Sequence, residues 1–151
     1  RGDPAGGGLR RVIVLDTNVI SELMRRKPDP RVMAWVADQA AASLFTTTLT
    51  QAEILYGLAP LPPGRRRDDL LGAALPMFEV DLAGRVLPFD GDAALAYPEI
   101  AAARKQAGRP ISQIDAQIAS IVHSRGARLA TRNLRDFAEC GITVVDPWSE
   151  A

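Results

Sequence analysis

The chain has one cysteine, Cys140, and one histidine, His123, in 151 residues. A lone cysteine allows no intramolecular disulfide, which suits a reducing compartment, and the pair cannot assemble a Cys/His zinc cluster. A Ser-His-Asp triad would have to use His123, and nothing around it resembles a nucleophile elbow. Aromatic residues are 5% of the chain, too few for the stacking platforms of RRM or OB modules. Neither sign of charge is in excess, with 18 Lys+Arg against 18 Asp+Glu. That excludes binding to nucleic acid by bulk positive charge, so such a partner would be held by local patches. No apolar run approaches the ~18 residues of a membrane helix. The opening Arg1-Gly2-Asp3-Pro4-Ala5-Gly6-Gly7-Gly8 has no apolar stretch of the signal-peptide kind. A cytoplasmic protein with no membrane contact is expected.

What is present suits one globular domain: 47% hydrophobic and 24% charged residues, with length for a real core but not for two ordinary domains. Residues 1–10 read as a flexible lead-in or expression remnant, and 11–151 as the domain. Val12-Ile13-Val14-Leu15 is a short β-branched run typical of a buried strand. Asp16 ends it, and helical spacing follows from Thr17 to Met24 until Arg25-Arg26-Lys27-Pro28 breaks it. A second helix is expected over Pro30–Ala42, a strand over Leu44–Thr47, and a helix opening at Thr50. After the Pro60–Gly64 break come a helix over Arg65–Leu75 and a strand over Arg85–Phe89, which Pro88 confines to an edge or an end. Asp92–Gln106 is helical in composition, though Pro98 should kink or divide it. Ser112–Arg125 is a helix stopped by Gly126, and Arg128–Thr131 and Ile142–Val145 are the last strands. Strands alternating with helices predict an α/β fold with a mostly parallel central sheet flanked by helices.

Four acids have a pattern. Asp16 follows the first strand, Glu53 lies early in the helix after the second, Asp115 opens the helix before the Leu129 strand, and Asp136 follows that strand. Residues just past the carboxyl ends of parallel strands converge on one crevice. On a helical wheel of roughly 100° per residue, Ile111, Ile118, Ala119 and Val122 fall within about 60° of Asp115. Its carboxylate therefore points with the apolar stripe, which is costly unless a metal, a cation or donors compensate it. A simpler reading is available for each acid alone. Ser112-Gln113-Ile114-Asp115 and Thr50-Gln51-Ala52-Glu53 have capping-box spacing, and Asp16 could cap its own helix. As a set, carboxylates without His or Cys select a hard cation, Mg²⁺ or Mn²⁺. Such ions polarise phosphates and activate water for phosphodiester hydrolysis.

The segments Leu15-Asp16-Thr17-Asn18-Val19-Ile20-Ser21-Glu22-Leu23, Thr50-Gln51-Ala52-Glu53-Ile54-Leu55-Tyr56-Gly57, Asp115-Ala116-Gln117-Ile118-Ala119 and Leu129-Ala130-Thr131-Arg132-Asn133-Leu134-Arg135-Asp136-Phe137, with Pro147-Trp148, resemble a PIN domain. Within that superfamily the chain is similar to the VapC/FitB ribonuclease toxins of type II toxin–antitoxin modules, over residues 12 to 148. The resemblance implies a Rossmann-like fold and a Mg²⁺- or Mn²⁺-dependent endoribonuclease, usually a homodimer. It implies a VapB- or FitA-like antitoxin that blocks the site, with operator DNA bound only through that antitoxin. Asp16 and Asp115 match the most dependable metal-binding aspartates and Glu53 the motif glutamate. Asp136 is the candidate for the fourth acid, with Asn133 as its alternative. Thr17, Asn18 and Thr131 would line the pocket.

Three basic clusters stand out: Arg25-Arg26-Lys27, Arg65-Arg66-Arg67, and Arg104 with Lys105 and Arg109. Runs of this kind usually form a solvated face. Phosphate contact suits Arg25, Arg26 and Lys27, to which the Asp16 helix leads, and Arg132 and Arg135, which bracket the fourth acid. The two arginines could equally pair with the carboxylates. His123 reads as a surface residue, Cys140 as a small buried one, and Trp35 and Trp148 as packing residues. Two other functions stay open. One is a degenerate PIN-like module that binds RNA or protein without cutting. The other is a small-molecule phosphohydrolase with Asp16 as covalent nucleophile, although such enzymes typically place a second Asp where Asn18 stands.

Overall fold

The computed structural model of the chain describes residues 12–149, so the lead-in read over residues 1–10 lies outside them. The described elements are β1 (Ile13–Leu15), α1 (Thr17–Leu23), α2 (Pro30–Ala37), β2 (Leu44–Thr47), α3 (Thr48–Leu58), α4 (Arg65–Pro76), β3 (Val86–Leu87), α5 (Gly91–Gln106), α6 (Gln113–Ser124), β4 (Arg128–Ala130) and β5 (Thr143–Val145). The strands form one sheet in the order β3-β2-β1-β4-β5. Every pairing is parallel, in registers such as Val14 to Phe45, Val14 to Leu129, Thr46 to Val86 and Leu129 to Val144. The expected α/β fold is present, with β3 at an edge as Pro88 requires.

Helices cover both faces, which is why β1 reads as an unbroken apolar run. Val14 and Leu129 pack with Ile100, Ile118, Ile121, Val122 and Phe137 on the side of α5 and α6. Ile13 and Leu15 pack on the other side with Val19, Ile20, Trp35, Phe78 and Trp148. No helix among the described residues is long and apolar enough to cross a membrane.

Local chemistry shifts several boundaries. The helix α2 stops at Ala37, not Ala42, because the Gln39 amide turns back to donate to the Trp35 carbonyl and Ala41–Ser43 tightens into a 3-10 turn. Thr50 does not open its helix. Thr47 caps α3, accepting from Thr50 N, so Glu53 is a full turn too deep for a capping box. Pro98 does not divide α5, which runs unbroken from Gly91 to Gln106. Both Pro98 and Ala94, whose carbonyl loses its donor, are exposed, so water can take the freed oxygen. Beyond Pro76 the chain continues as a π turn, Met77–Asp81, that buries Phe78; no sequence signal announced it.

The strand order reverses between β1 and β4. Successive connections carry β2 and β3 to one side of β1, and β4 and β5 return on the other. In open parallel sheets the crevice beyond the carboxyl ends at such a reversal is where ligands bind.

Candidate acidic site at the strand ends

Asp16 and Thr131 are the residues immediately past β1 and β4, so the topology alone puts them side by side at that crevice. Asp16 occupies the N-cap position of α1, but its carboxylate does not cap the helix. Instead Thr131 donates its hydroxyl to Asp16 Oδ2 at 2.7 Å, and Asn18 Nδ2 reaches the same oxygen at 3.3 Å. Asn18 also donates to Thr131 Oγ1 at 3.0 Å and accepts from Arg132 N at 3.1 Å. Asn133 joins through its backbone, donating to Thr131 Oγ1 at 3.0 Å. Asp16 is only 5% exposed.

Glu53 comes to the crevice from α3. Its Oε1 accepts from the Thr17 hydroxyl at 2.6 Å, and the Thr17 and Thr50 hydroxyls lie 3.1 Å apart. Asp115 enters from the first turn of α6, whose cap is the Ser112 hydroxyl accepting from Asp115 N. The capping half of the simple reading therefore holds for Ser112, while the Asp115 side chain is half-buried beside the apolar stripe. Asp136 stands exposed on the 3-10 turn Leu134–Phe137.

The electrostatics tie these acids together. Burial pushes the Asp16 carboxyl above its ordinary pKa; the Thr131 bond and a backbone bond at Thr17 oppose this, and the charges of Asp115 and Glu53 add to it. Asp115 is raised too, chiefly by burial and further by Asp136 and Glu53, against the Ser112 hydrogen bond and the charge of Arg104. Asp115 and Glu53 thus act on Asp16, and Asp136 and Glu53 on Asp115. Among the described residues, no ion pair joins Arg or Lys to any of the four acids. Nor are three of the described His, Cys, Asp or Glu side chains gathered closely enough to form a finished metal cage. The donors are all oxygens: hydroxyls and an amide hold Asp16 and Glu53, and burial, with the neighbouring carboxylates adding to it, raises Asp16 and Asp115. That set fits a hard divalent cation in kind, because such an ion relieves the repulsion.

The basic residues differ in their surroundings. Arg26 and Lys27 are exposed, and Arg25 is bound to Glu22 at 3.2 Å. Glu22, buried, also accepts from Asp29 N at 2.7 Å and so closes the loop that carries all three. A groove starts at Thr17 and Glu53 and passes Met24, Ile54, Leu58 and Leu70, with Arg25 on its wall. Next to it Arg26, Arg65 and Arg66 line a second hollow that shares Met24 and Leu70. Among the described residues Arg132 pairs with no carboxylate; its guanidinium lies 4.7 Å from the Trp148 ring centre. Arg135 is exposed. Arg104 departs from the sequence reading altogether: it is 5% exposed and belongs to no solvated cluster. The signal was available, since Ala93, Ile100 and Arg104 repeat at helical spacing on the buried side of α5. His123 is exposed, while Cys140, Trp35 and Trp148 are buried, as read from the sequence.

Comparison with known proteins agrees with this geometry. Residues 13–141 match the PIN domain family. The chain is 42% identical over 144 residues to the VapC ribonuclease Y4jK of Sinorhizobium fredii, covering 93% of this chain and all of that protein. It is 34% identical over 143 residues to the toxin FitB of Neisseria gonorrhoeae, covering 92% and 100%. Its fold matches a chain in the structure of FitAB bound to an IR36 DNA fragment with a TM-score of 0.85 and 33% identity, over 93% of this chain and 98% of that one. With the sheet order, the acids at its reversal and these matches in agreement, the chain belongs to the PIN domain family, in its VapC/FitB branch.

Proposed function

We propose that this protein is a Mg²⁺- or Mn²⁺-dependent endoribonuclease, the toxin of a type II toxin–antitoxin module. The observation that carries the reading is the mutual charge of Asp16, Glu53 and Asp115 in the β1/β4 crevice, where no cation among the described residues pairs with them. Asp16, Glu53 and Asp115 would hold the ion, with Asp136 or Asn133 completing the set. When bound, it would supply Lewis-acid polarisation of a phosphate and a lowered pKa for a nearby water. The protein's own part is positional. Thr131 and Asn18 fix the Asp16 carboxylate, and Thr17 fixes Glu53. Arg25, Arg26 and Lys27 supply positive field for an RNA backbone along the groove.

The matched structure of FitAB with DNA supports an antitoxin partner of VapB or FitA type for this chain, through which operator DNA is reached. The homodimer rests on the family resemblance, and the cytoplasmic location on the lone cysteine, Cys140, which suits a reducing compartment. The test is incubation of a total-RNA pool with the protein in Mg²⁺, in Mn²⁺ and in EDTA, beside Asp115→Asn. Discrete fragments that need the metal and that Asp115→Asn fails to produce are expected. Absence of cleavage by folded, metal-supplied wild type on this pool and on purified tRNA, rRNA and mRNA would replace this reading with binding alone.

A further inference from the structure

Arg104 is a buried cation that the reading above leaves unused. Its Nε donates to Arg109 O at 2.7 Å, and its Nη1 donates to Asp136 O at 2.7 Å and Ala138 O at 3.1 Å, with Cys140 Sγ at 3.6 Å. Every one of these acceptors is neutral, although a buried charge without a counter-ion is costly. The acceptors belong to two segments. Arg109 lies in the short loop from α5 to Ser112, the cap of α6 and hence of the turn bearing Asp115. Asp136 and Ala138 belong to the 3-10 turn after β4 and its exit. One guanidinium therefore cross-links the approach to Asp115 with the backbone of Asp136. Its charge also acts on Asp115. Among the described residues Asp136 has no other tether of this strength: its side chain is exposed, and its own N–H bonds to Asn133 O, within the turn.

We propose that Arg104 is a positioning residue that sets the separation of Asp115 and Asp136, by bridging the loop that enters α6 to the turn that carries Asp136. The proposal rests on the metal-site reading and extends it to a residue outside the crevice. A fixed guanidinium fork suits this task because its donors are rigidly spaced, so two segments bound to it cannot drift independently. A lysine at the same place carries the charge without the fork.

The test is Mn²⁺ binding, by calorimetry or by loss of the free-ion electron-paramagnetic signal, on the intact chain. The proteins are wild type, Arg104→Met, Arg104→Lys, Asp136→Asn and the double variant Arg104→Met/Asp136→Asn, each checked for folding by circular dichroism and thermal melting. Arg104→Met is expected to weaken Mn²⁺ binding by about 10- to 100-fold. In the Asp136→Asn background the same change should add less than about 2-fold, since the group being positioned is gone. Equal losses in both backgrounds would mean general loosening and would overturn the proposal. Arg104→Lys should stay weakened, and its full recovery would show that charge rather than the bridge matters. Should Arg104→Met fail to fold, Arg104→Lys takes its place in the cycle with Asp136→Asn. Wild type that binds no Mn²⁺ overturns the metal-site reading itself, and a wild type that binds it without coupling between Arg104 and Asp136 overturns only this inference.

Discussion

The Thr131 hydroxyl donates to Asp16 Oδ2 at 2.7 Å across 115 positions of the chain, joining the ends of β1 and β4. Thr131 Oγ1 itself accepts from Asn18 Nδ2 and from Asn133 N, both at 3.0 Å. One proton donated and two accepted exhaust what a hydroxyl offers. Thr131→Val keeps the shape but leaves the buried carboxylate without its strongest donor. A loss of about 1.5–3 kcal/mol in urea unfolding is expected for metal-free protein, with Thr131→Ser recovering most of it. A Val variant with the wild-type midpoint would show that the bond contributes nothing.

The raised carboxyls of Asp16 and Asp115 fix the direction of a pH effect. Between the ordinary pKa of an unfolded aspartate and the higher folded value, the native state binds more protons than the unfolded one. Stability from these two groups therefore falls as pH rises through their folded values, and the penalty is complete above them. In EDTA, Asp16→Asn and Asp115→Asn should melt higher than wild type at pH 7, and the gap should close as pH falls toward 4. Asp29 stays out of this window, because hydrogen bonds from Arg31 hold its carboxyl down to about 2. An Asp16→Asn variant less stable than wild type at pH 7 would contradict the assignment.

A divalent ion should act on the same penalty from the other side. Mg²⁺ or Mn²⁺ at 100 times its Kd would stabilise the native state by about 2.7 kcal/mol. A rise in melting temperature with Mn²⁺, reversed by EDTA and absent in Asp115→Asn, is the expected pattern. Equal rises in wild type and Asp115→Asn would place the ion elsewhere.

The parts of this protein governed by short-range rules were legible in the sequence. The Val12–Leu15 run, the Thr/Asp/Asn residues at its end and the helical wheel of Asp115 each depend on neighbours within a few positions, and all led to the right edge of the sheet. Arg104 was misread because a cluster of cations looks like a solvated face until the partners are known, and its acceptors are backbone carbonyls 32 and 34 positions away. Backbone acceptors leave no trace in residue identity. Thr47, not Thr50, caps α3, because three threonines in succession, Thr46, Thr47 and Thr48, offer equivalent caps and the sheet pairing of Thr47 with Leu87 decides between them. The Arg132–Trp148 stack needs β4 and the chain end to meet, which only the sheet order arranges.

RNA binding, separated from cutting by the Asp115→Asn background, should report which cations meet the phosphates. Each lost phosphate contact on a single strand lowers the slope of log K against log salt by about 0.7. Arg26 and Lys27 are exposed on the loop that Glu22 closes, so Arg26→Ala with Lys27→Ala should lower the slope by about 1.4. Arg125 is the control. It is paired with Asp90 at 3.4 Å and sits at the far end of α6, roughly 15 Å along the helix from Asp115 at the usual rise per residue. Arg125→Ala should leave the slope as it is. A slope that falls equally for both would mean that RNA is held by diffuse charge rather than along the groove, which a chain of zero net charge is poorly equipped to do.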